Sequence, residues 1–285
     1  MAVALLVRFL LFSLEHSGGA ADSLARFYVR IFDLLIPKLR RTGLRNLQIA
    51  GLAERPEIVD GVFASIARIL VSVARVGRLN KQNIHQFIEY DGFEHYEEAK
   101  RRGRGVLFAT AHLGNWEFSA VAHSLMTEPM HVVVRPLDNR TVDDIIESRR
   151  EATGNHVISK KDAARDILRA LKKNEPVGIL IDQNVSPAEG VFIDFFGVPA
   201  CAGTAFARLA AHSGAAVIPG FALWDASRKK YVLRFFPLVD ITGDAEEDTR
   251  RIHAVIERVI REYPDQWLWL HRRWKTRPPG EPSLY

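Results

Sequence analysis

The second half of the chain alternates short apolar segments with amphipathic ones, and this alternation limits the possible folds more than any other feature. Apolar runs typical of buried strands occur at residues 106–110, 131–135, 177–182, 216–223 and 231–236. Helical periodicity marks residues 116–125, 142–152, 162–173, 204–212 and 248–262. Helices that alternate with strands cover a sheet on both faces, so the sequence predicts an α/β fold of this layered kind.

The length and composition are those of a globular protein. With 285 residues and 47% hydrophobic content, the chain can bury one large core or two modest ones. No linker or internal repeat divides it, and we expect a helical region over 1–88 and an α/β core over 89–285 in one continuous unit. The single cysteine, Cys201, excludes an intramolecular disulfide and a cysteine-based zinc site. The formal net charge of +5 is compatible with an acidic partner, an anionic membrane or merely a soluble surface.

Two apolar segments lie near the beginning of the sequence. Residues 1–14 are almost wholly apolar, and residues 27–36 are apolar apart from two charged side chains. Neither reaches the roughly 20 residues that a membrane-spanning helix needs. Together with the basic cluster at 38–41, they predict helices that lie on or dip into a membrane. A signal peptide, which would lack its usual leading charges, and a buried helical hairpin are the alternatives.

A histidine and a carboxylate five positions apart follow the first predicted strand, in the segment His-Leu-Gly-Asn-Trp-Glu at 112–117. On one continuous helix they would point about 140° apart, so they meet only if His112 lies in the preceding loop, bent at Gly114. Asn115 would then cap a helix that contains Glu117. We expect His112 to act as a general base and Glu117 to orient its ring, as in acyl transfer to an alcohol. A satisfied structural pair is the alternative.

Other segments place polar or aromatic residues at the ends of apolar runs, where α/β proteins tend to have their sites. Arg135 ends the second predicted strand and Asp182 the third. Residues 195–200 predict an apolar loop that walls a pocket, and residues 267–275 mix tryptophans with cations. Each segment has a structural alternative, because Arg135 and Asp182 could form an ion pair and the aromatic residues could belong to the core.

In their order along the chain, these segments closely resemble the bacterial lipid A biosynthesis acyltransferase family, the lauroyl and myristoyl transferases related to phosphatidylinositol mannoside acyltransferases. The resemblance rests on the 112–117 segment, Val-Val-Arg-Pro at 133–136, Asp-Gln at 182–183, Phe-Phe-Gly-Val-Pro-Ala at 195–200 and Trp-Leu-Trp-Leu-His-Arg-Arg-Trp at 267–274. It implies a glycerol-phosphate acyltransferase-like αβα sandwich with an N-terminal helical membrane-binding segment. The apolar segments here are shorter than the single spanning helix usual in the family.

The resemblance also implies roles for individual residues. His112 matches the family's catalytic base and Glu117 the acid that orients it. Arg135, or backbone N–H groups near Gly114, would stabilise the tetrahedral oxyanion. No metal is expected, since His112 and Glu117 supply too few ligands for a zinc site. The candidate substrate-binding residues are Arg135, Asp182, Asn115, Phe195 and Phe196.

The activity implied is transfer of a fatty acyl chain from acyl carrier protein, or coenzyme A, to a hydroxyl of a glycolipid such as a lipid A precursor. The cytoplasmic face of the bacterial inner membrane is the implied location, with acyl carrier protein, anionic lipids and the glycolipid as partners and no nucleic acid or further cofactor. The basic residues 100–102 and 272–273 could attract an acidic carrier protein. The alternatives are a lipid or thioester hydrolase with the same two residues, a transferase acting on a phosphatidylinositol mannoside or another lipid, and a non-catalytic membrane-binding protein.

Overall fold

A computed structural model describes residues 2–160 and 163–285. Helices precede the first strand as α1 (Ala2–His16), α2 (Ala21–Leu35), α3 (Pro37–Ile49) and α4 (Glu57–Arg75). Strands and helices then alternate as β1 (Ile88–Asp91), α5 (Phe93–Arg101), β2 (Val106–Thr110), α6 (Trp116–Met126), β3 (His131–Val134), α7 (Arg140–Glu151), β4 (His156–Ser159), α8 (Ala163–Lys172) and β5 (Pro176–Leu180). The chain continues as β6 (Gly190–Phe195), β7 (Val198–Gly203), α9 (Ala205–Ser213), β8 (Ala216–Asp225), β9 (Lys230–Phe235) and α10 (Ala245–Glu262).

Seven strands form one sheet in the order β1-β9-β8-β2-β5-β3-β4. The strands from β8 to β4 run parallel, whereas β9 is antiparallel to β8 and carries β1 at the edge. The predicted α/β class is therefore confirmed, and the five predicted strands correspond to β2, β3, β5, β8 and β9. The edge strands β1 and β4 are not predicted, because polar residues interrupt each of them, Glu89 and Asp91 in β1 and His156 and Ser159 in β4, so neither forms an apolar run. Met1 and Asp162, which predicted segments included, lie outside the described residues.

Helices cover the sheet on both faces. On β2, Leu107 and Ala109 belong to one apolar cluster with Ile256 of α10, while Phe108 belongs to a second cluster with Tyr96 of α5. Successive residues of a strand point to opposite faces, so the two clusters lie on opposite sides of the sheet. The centre of the molecule thus has three layers, helix, sheet and helix.

Helices α1 and α2 pack against α4 through one narrow stripe each. Leu11 and Leu14 of α1 and Ala25 and Val29 of α2 are buried in the apolar cluster that also contains Leu107 of β2. The opposite faces of both helices are also apolar: eleven of the thirteen exposed large hydrophobic residues in the described chain lie between positions 3 and 36. No helix within residues 2–160 and 163–285 combines the length and apolar composition needed to cross a bilayer.

The segment predicted as an apolar loop is a tight hairpin turn. Strands β6 and β7 pair antiparallel, and Phe196 and Gly197 join them with φ of +58° and +76°. Two successive residues at positive φ are typical of a type I′ turn, which matches the twist of the strands that it connects. Phe195 and Phe196 are buried and lie against Trp274 and Trp269, with ring centroids 6.0 and 5.6 Å apart. Both phenylalanines are therefore core residues, and the expectation that they wall a substrate pocket is corrected.

Candidate active site

His112 lies in the loop that joins β2 to α6, and the backbone around it allows little freedom. Gly114 has φ of +65°, and a Cβ atom there would lie 2.0 Å from the carbonyl oxygen of Ala222, so only glycine fits. The N–H of Asn115 donates to that same oxygen at 2.8 Å, and its side-chain oxygen accepts from the N–H of Phe118 at 3.0 Å. The glycine bend and the asparagine cap predicted from the sequence are thus confirmed, and they hold His112 at the end of β2.

Asp182 is the partner that the fold brings to His112. Since β5 pairs in parallel with β2, the residues that follow the two strands meet at one edge of the sheet. The Nδ1 atom of His112 lies 2.8 Å from Oδ1 of Asp182, and the backbone N–H of His112 donates to Oδ2 at 3.0 Å. The indole N–H of Trp267 also donates to Oδ2, at 2.8 Å. A carboxylate only accepts hydrogen bonds, so Nδ1 carries the proton and Nε2 is left as the basic nitrogen.

The electrostatics of this pair follow from burial and mutual attraction. Burial alone would lower the pKa of His112, but the charge of Asp182 and its hydrogen bond outweigh burial and raise it. Burial alone would raise the pKa of Asp182, yet the charge and hydrogen bond of His112, followed by the bond from Trp267, lower it. Asp182 therefore stays ionised at neutral pH and favours the imidazolium that forms when His112 takes a proton.

Glu117 lies in the first turn of α6, and its carboxylate is bound to Arg150 of α7. The Nε and Nη2 atoms of Arg150 donate to its two oxygens at 2.9 and 2.6 Å. Both side chains are about four-fifths buried, a setting in which a two-point ion pair has a fixed geometry. Glu117 was expected to hydrogen-bond to the ring of His112 and orient it, but in the structure Asp182 makes that hydrogen bond. Glu117 still acts on the ring through its charge, as the smallest of the effects on the pKa of His112.

Two other candidate residues do not reach the site. The side chain of Arg135 is 82% exposed, and its described charged partner is Asp138, 4.0 Å away. Asn115 is fully buried. Its side-chain oxygen caps α6, and its side-chain nitrogen, Nδ2, donates to Oγ of Ser72 at 2.8 Å. Arg135 and Asn115 therefore do not take the substrate-binding positions that the sequence suggested. Arg135 points to solvent, and both polar atoms of the Asn115 side chain are hydrogen-bonded within the protein.

Two of the five cations proposed to attract a carrier protein are engaged inside the chain. Arg273 is fully buried, stacks over the ring of Phe195 at 5.1 Å and donates to the carbonyl of Cys201 at 2.6 Å. Lys100 pairs with Glu128 at 2.8 Å. Arg101, Arg102 and Arg272 are exposed, so three of the five cations remain at the surface.

Sequence reasoning did not assign a role to three residues of the site. Arg150 is one of two adjacent arginines on an amphipathic helix, and nothing in the sequence distinguishes them. Trp267 was treated only as one of several aromatic residues. Gln183 directly follows Asp182, and its amide nitrogen lies 3.5 Å from Nε2 of His112. Its position after a strand end was the one signal that could have identified it as a site residue.

Comparison with known proteins places this geometry in a family. Residues 23–276 match the model of the bacterial lipid A biosynthesis acyltransferases. The chain is 32% identical over 248 residues to a lipid A biosynthesis lauroyltransferase of Escherichia coli, covering 85% of this chain and 80% of that protein. It is 28% identical to a palmitoleoyltransferase of the same organism, over 90% and 86% of the two chains, and 27% identical to a lipid A biosynthesis acyltransferase of Haemophilus influenzae, over 81% and 73%. The chain is therefore an acyltransferase and belongs to the bacterial lipid A biosynthesis acyltransferase family.

Proposed function

We propose that this enzyme moves a fatty acyl chain from a thioester donor to a hydroxyl group of a lipid A precursor, with His112 as the general base. The observation that carries the proposal is the hydrogen-bonded chain from Trp267 through Asp182 to His112 at the carboxyl edge of the parallel sheet. In the neutral ring this arrangement puts the proton on Nδ1, so Nε2 of His112 is the nitrogen that can take the proton of an alcohol. The names of the relatives supply the glycolipid acceptor.

In the chemical step, His112 accepts a proton from the acceptor hydroxyl and then donates it to the leaving group. Nε2 of His112 takes the proton of the acceptor hydroxyl as its oxygen attacks the thioester carbonyl, and ionised Asp182 stabilises the imidazolium. When the tetrahedral intermediate collapses, the carbon–sulfur bond breaks and the imidazolium returns the proton to the leaving thiolate. Direct transfer is favoured over an acyl-enzyme, because the sole cysteine, Cys201, is buried away from this edge and no serine sits beside His112 in a nucleophile motif.

Gln183 is the candidate donor to the oxyanion. The donors expected from the sequence are engaged elsewhere, since the N–H of Gly114 donates to the carbonyl of Gln266 at 2.9 Å and Arg135 points to solvent. The amide of Gln183 is exposed and within 3.5 Å of the basic nitrogen, where it can turn toward a developing negative charge.

We place the enzyme on the cytoplasmic leaflet of the inner membrane, attached through α1 and α2. An ordinary surface helix is polar opposite its buried stripe, but here that face carries exposed side chains such as Phe9, Phe12 and Leu35. Lys38 and Arg41 are exposed beside them, and cations near an apolar face favour an anionic lipid surface. Attachment of this kind would keep the enzyme on the membrane in which a lipid acceptor resides.

The test is an assay of purified protein with an acyl thioester, with and without a lipid A precursor, read by mass spectrometry. We expect acylated precursor, and we expect His112→Ala to lower turnover by about 10²–10⁴-fold, the usual loss on removing a general base. His212→Ala, which alters an exposed histidine of α9, is the control and should retain activity. Release of free fatty acid without acylated product would support a hydrolase instead. Parallel assays with acyl carrier protein and coenzyme A thioesters identify the donor.

A further inference from the structure

Gln183 lies between two residues that hydrogen bonds from distant parts of the chain hold in place. Before it, the carboxylate of Asp182 accepts from the indole N–H of Trp267 at 2.8 Å. After it, the backbone N–H of Asn184 donates to Nε2 of His271 at 3.2 Å. The backbone of Gln183 is therefore fixed from both sides by side chains more than eighty residues further along the sequence.

Both of these partners belong to residues 267–276, which we call the clamp segment. It contains no helix or strand, so its position depends on its own contacts. A third residue of it, Thr276, binds the side chain of Asn184 at two points: the N–H of Thr276 donates to Oδ1, and Oγ1 accepts from Nδ2, both at 3.0 Å. Oγ1 of Thr276 also donates to the carbonyl oxygen of Val185 at 2.8 Å. The clamp segment thus fixes the chain that leaves β5 over residues 182–185.

His271 is anchored at its backbone as well as at its ring. Asn46 of α3 is fully buried, and its Nδ2 atom donates to the carbonyl oxygens of Trp269 and His271 at 2.5 and 2.7 Å. A buried amide with two such bonds has a defined orientation, because a lost partner would be costly. The ring of His271 therefore reaches Asn184 from a fixed support.

The bond between His271 and Asn184 depends on the protonation of the ring. An imidazole nitrogen accepts a hydrogen bond only while it carries no proton, so the neutral ring of His271 has its proton on Nδ1. Burial lowers the pKa of His271 most, and the charge of Asp182 offsets this only in part. The cations that lower it further are Arg273, protonated His112 and Lys275. At neutral pH the ring is therefore neutral, and Nε2 is free to accept.

We propose that His271 is a positioning residue for the reaction, which holds Gln183 in place through the backbone N–H of Asn184. The proposal rests on the function proposed above, in which the amide of Gln183 donates to the oxyanion. Such a donor is effective when it is already in place as the negative charge develops. Because the side chain of Gln183 is exposed, the neighbouring backbone is the part that the protein can fix. His271 acts on the reaction through Gln183 and not by touching the substrate.

The first experiment removes the acceptor atom and then restores it. His271→Leu should lower kcat for thioester consumption by about tenfold, a part of the roughly 10²–10³-fold that loss of a whole oxyanion donor costs. KM should change little, because the oxyanion exists only in the transition state. His271→Gln places an amide oxygen near the position of Nε2 and should recover most of the rate. His95→Leu makes the same change at a half-buried histidine of α5, a helix that contributes no residue to the site, and should keep the kcat of the wild type.

A double-variant cycle tests whether His271 acts through Gln183. In the background of Gln183→Ala, His271→Leu should lower kcat less than about twofold, because the group that it positions is gone. Equal losses in the two backgrounds would overturn the proposal, since a general loss of stability is indifferent to Gln183.

Hydrogen exchange at the backbone N–H of Asn184 gives a readout that needs no catalysis. This N–H should exchange faster in His271→Leu than in the wild type, and His271→Gln should restore its protection. Unchanged exchange in His271→Leu would mean that His271 does not hold this segment, and the proposal would be wrong.

The cycle also separates this proposal from the proposed function, because it is read on consumption of the thioester and needs no lipid acceptor. If the wild type releases free fatty acid and forms no acylated lipid, but the two losses remain non-additive, His271 positions Gln183 and the proposed acyl transfer is wrong. If acylated lipid forms and His271→Leu keeps the kcat of the wild type, the proposed function stands and the inference about His271 is overturned.

Discussion

Two acidic residues, Asp182 and Glu117, lie near His112, and their different hydrogen-bond partners give them different roles. Asp182 is hydrogen-bonded to the ring and raises its pKa, whereas Glu117 is bound to Arg150 and acts on the ring only through its charge. Because the base must be neutral, activity should fall as pH drops through this raised pKa. The acid limb of the pH profile therefore reports which carboxylate controls the base.

Asp182→Asn is expected to change both the rate and the pH profile. Without the charge, burial dominates and lowers the pKa of His112, so the acid limb should move to lower pH. Turnover should also fall by about 10²–10⁴-fold, because an amide no longer enforces the reactive tautomer or stabilises the imidazolium. Glu117→Gln is the matched control and should move the acid limb much less. A larger shift in Glu117→Gln than in Asp182→Asn would restore the sequence-based assignment of Glu117 as the orienting acid.

At the scale of elements, the site depends on the sharp connection between β2 and α6. Gly114→Ala would place a methyl group against the carbonyl oxygen of Ala222 in a backbone conformation that alanine rarely adopts. We expect loss of most activity and a decrease of more than ~1 kcal/mol in the free energy of unfolding, measured by denaturant titration. Gly77→Ala, at a glycine with open space around it, should change neither quantity much. Full activity in Gly114→Ala would mean that the bend does not position His112.

The same connection shows what the sequence could and could not predict. Residues 106–117 carry a strand, a glycine bend and a helix cap in immediate succession, so their structure and the position of His112 were predictable from local chemistry. The partner was not, because Asp182 is seventy residues away and meets His112 only through the parallel pairing of β5 with β2. Local spacing therefore favoured Glu117. The prediction for the turn at Phe196 was wrong for a related reason. An apolar pair in a tight hairpin has the same composition as a loop that lines a pocket, and composition alone does not distinguish the two.

At the scale of the whole molecule, each of the helices α1 and α2 has two apolar faces, one buried in the core and one exposed. Residues such as Leu14 and Val29 are buried in the common core, so removal of α1 and α2 would expose that core and would not test attachment alone. The outward faces are the informative target. Each large apolar side chain that enters the interface contributes binding in proportion to its buried area, whereas a carboxylate there is repelled by anionic lipid.

The double variant Phe9→Asp with Phe32→Asp changes one outward residue on each helix, 61% and 45% exposed, while the buried stripes stay intact. In flotation with vesicles of anionic phospholipid, we expect the wild type to float with the lipid and the double variant to remain largely in the soluble fraction. Phe87→Asp, at an exposed phenylalanine outside α1 and α2, is the control and should float as the wild type does. Salt weakens only the electrostatic part of such binding, because ions screen charges but do not reduce apolar burial. Complete release of the wild type by salt alone, or flotation of the double variant with unchanged yield, would show that the outward faces of α1 and α2 do not enter the bilayer.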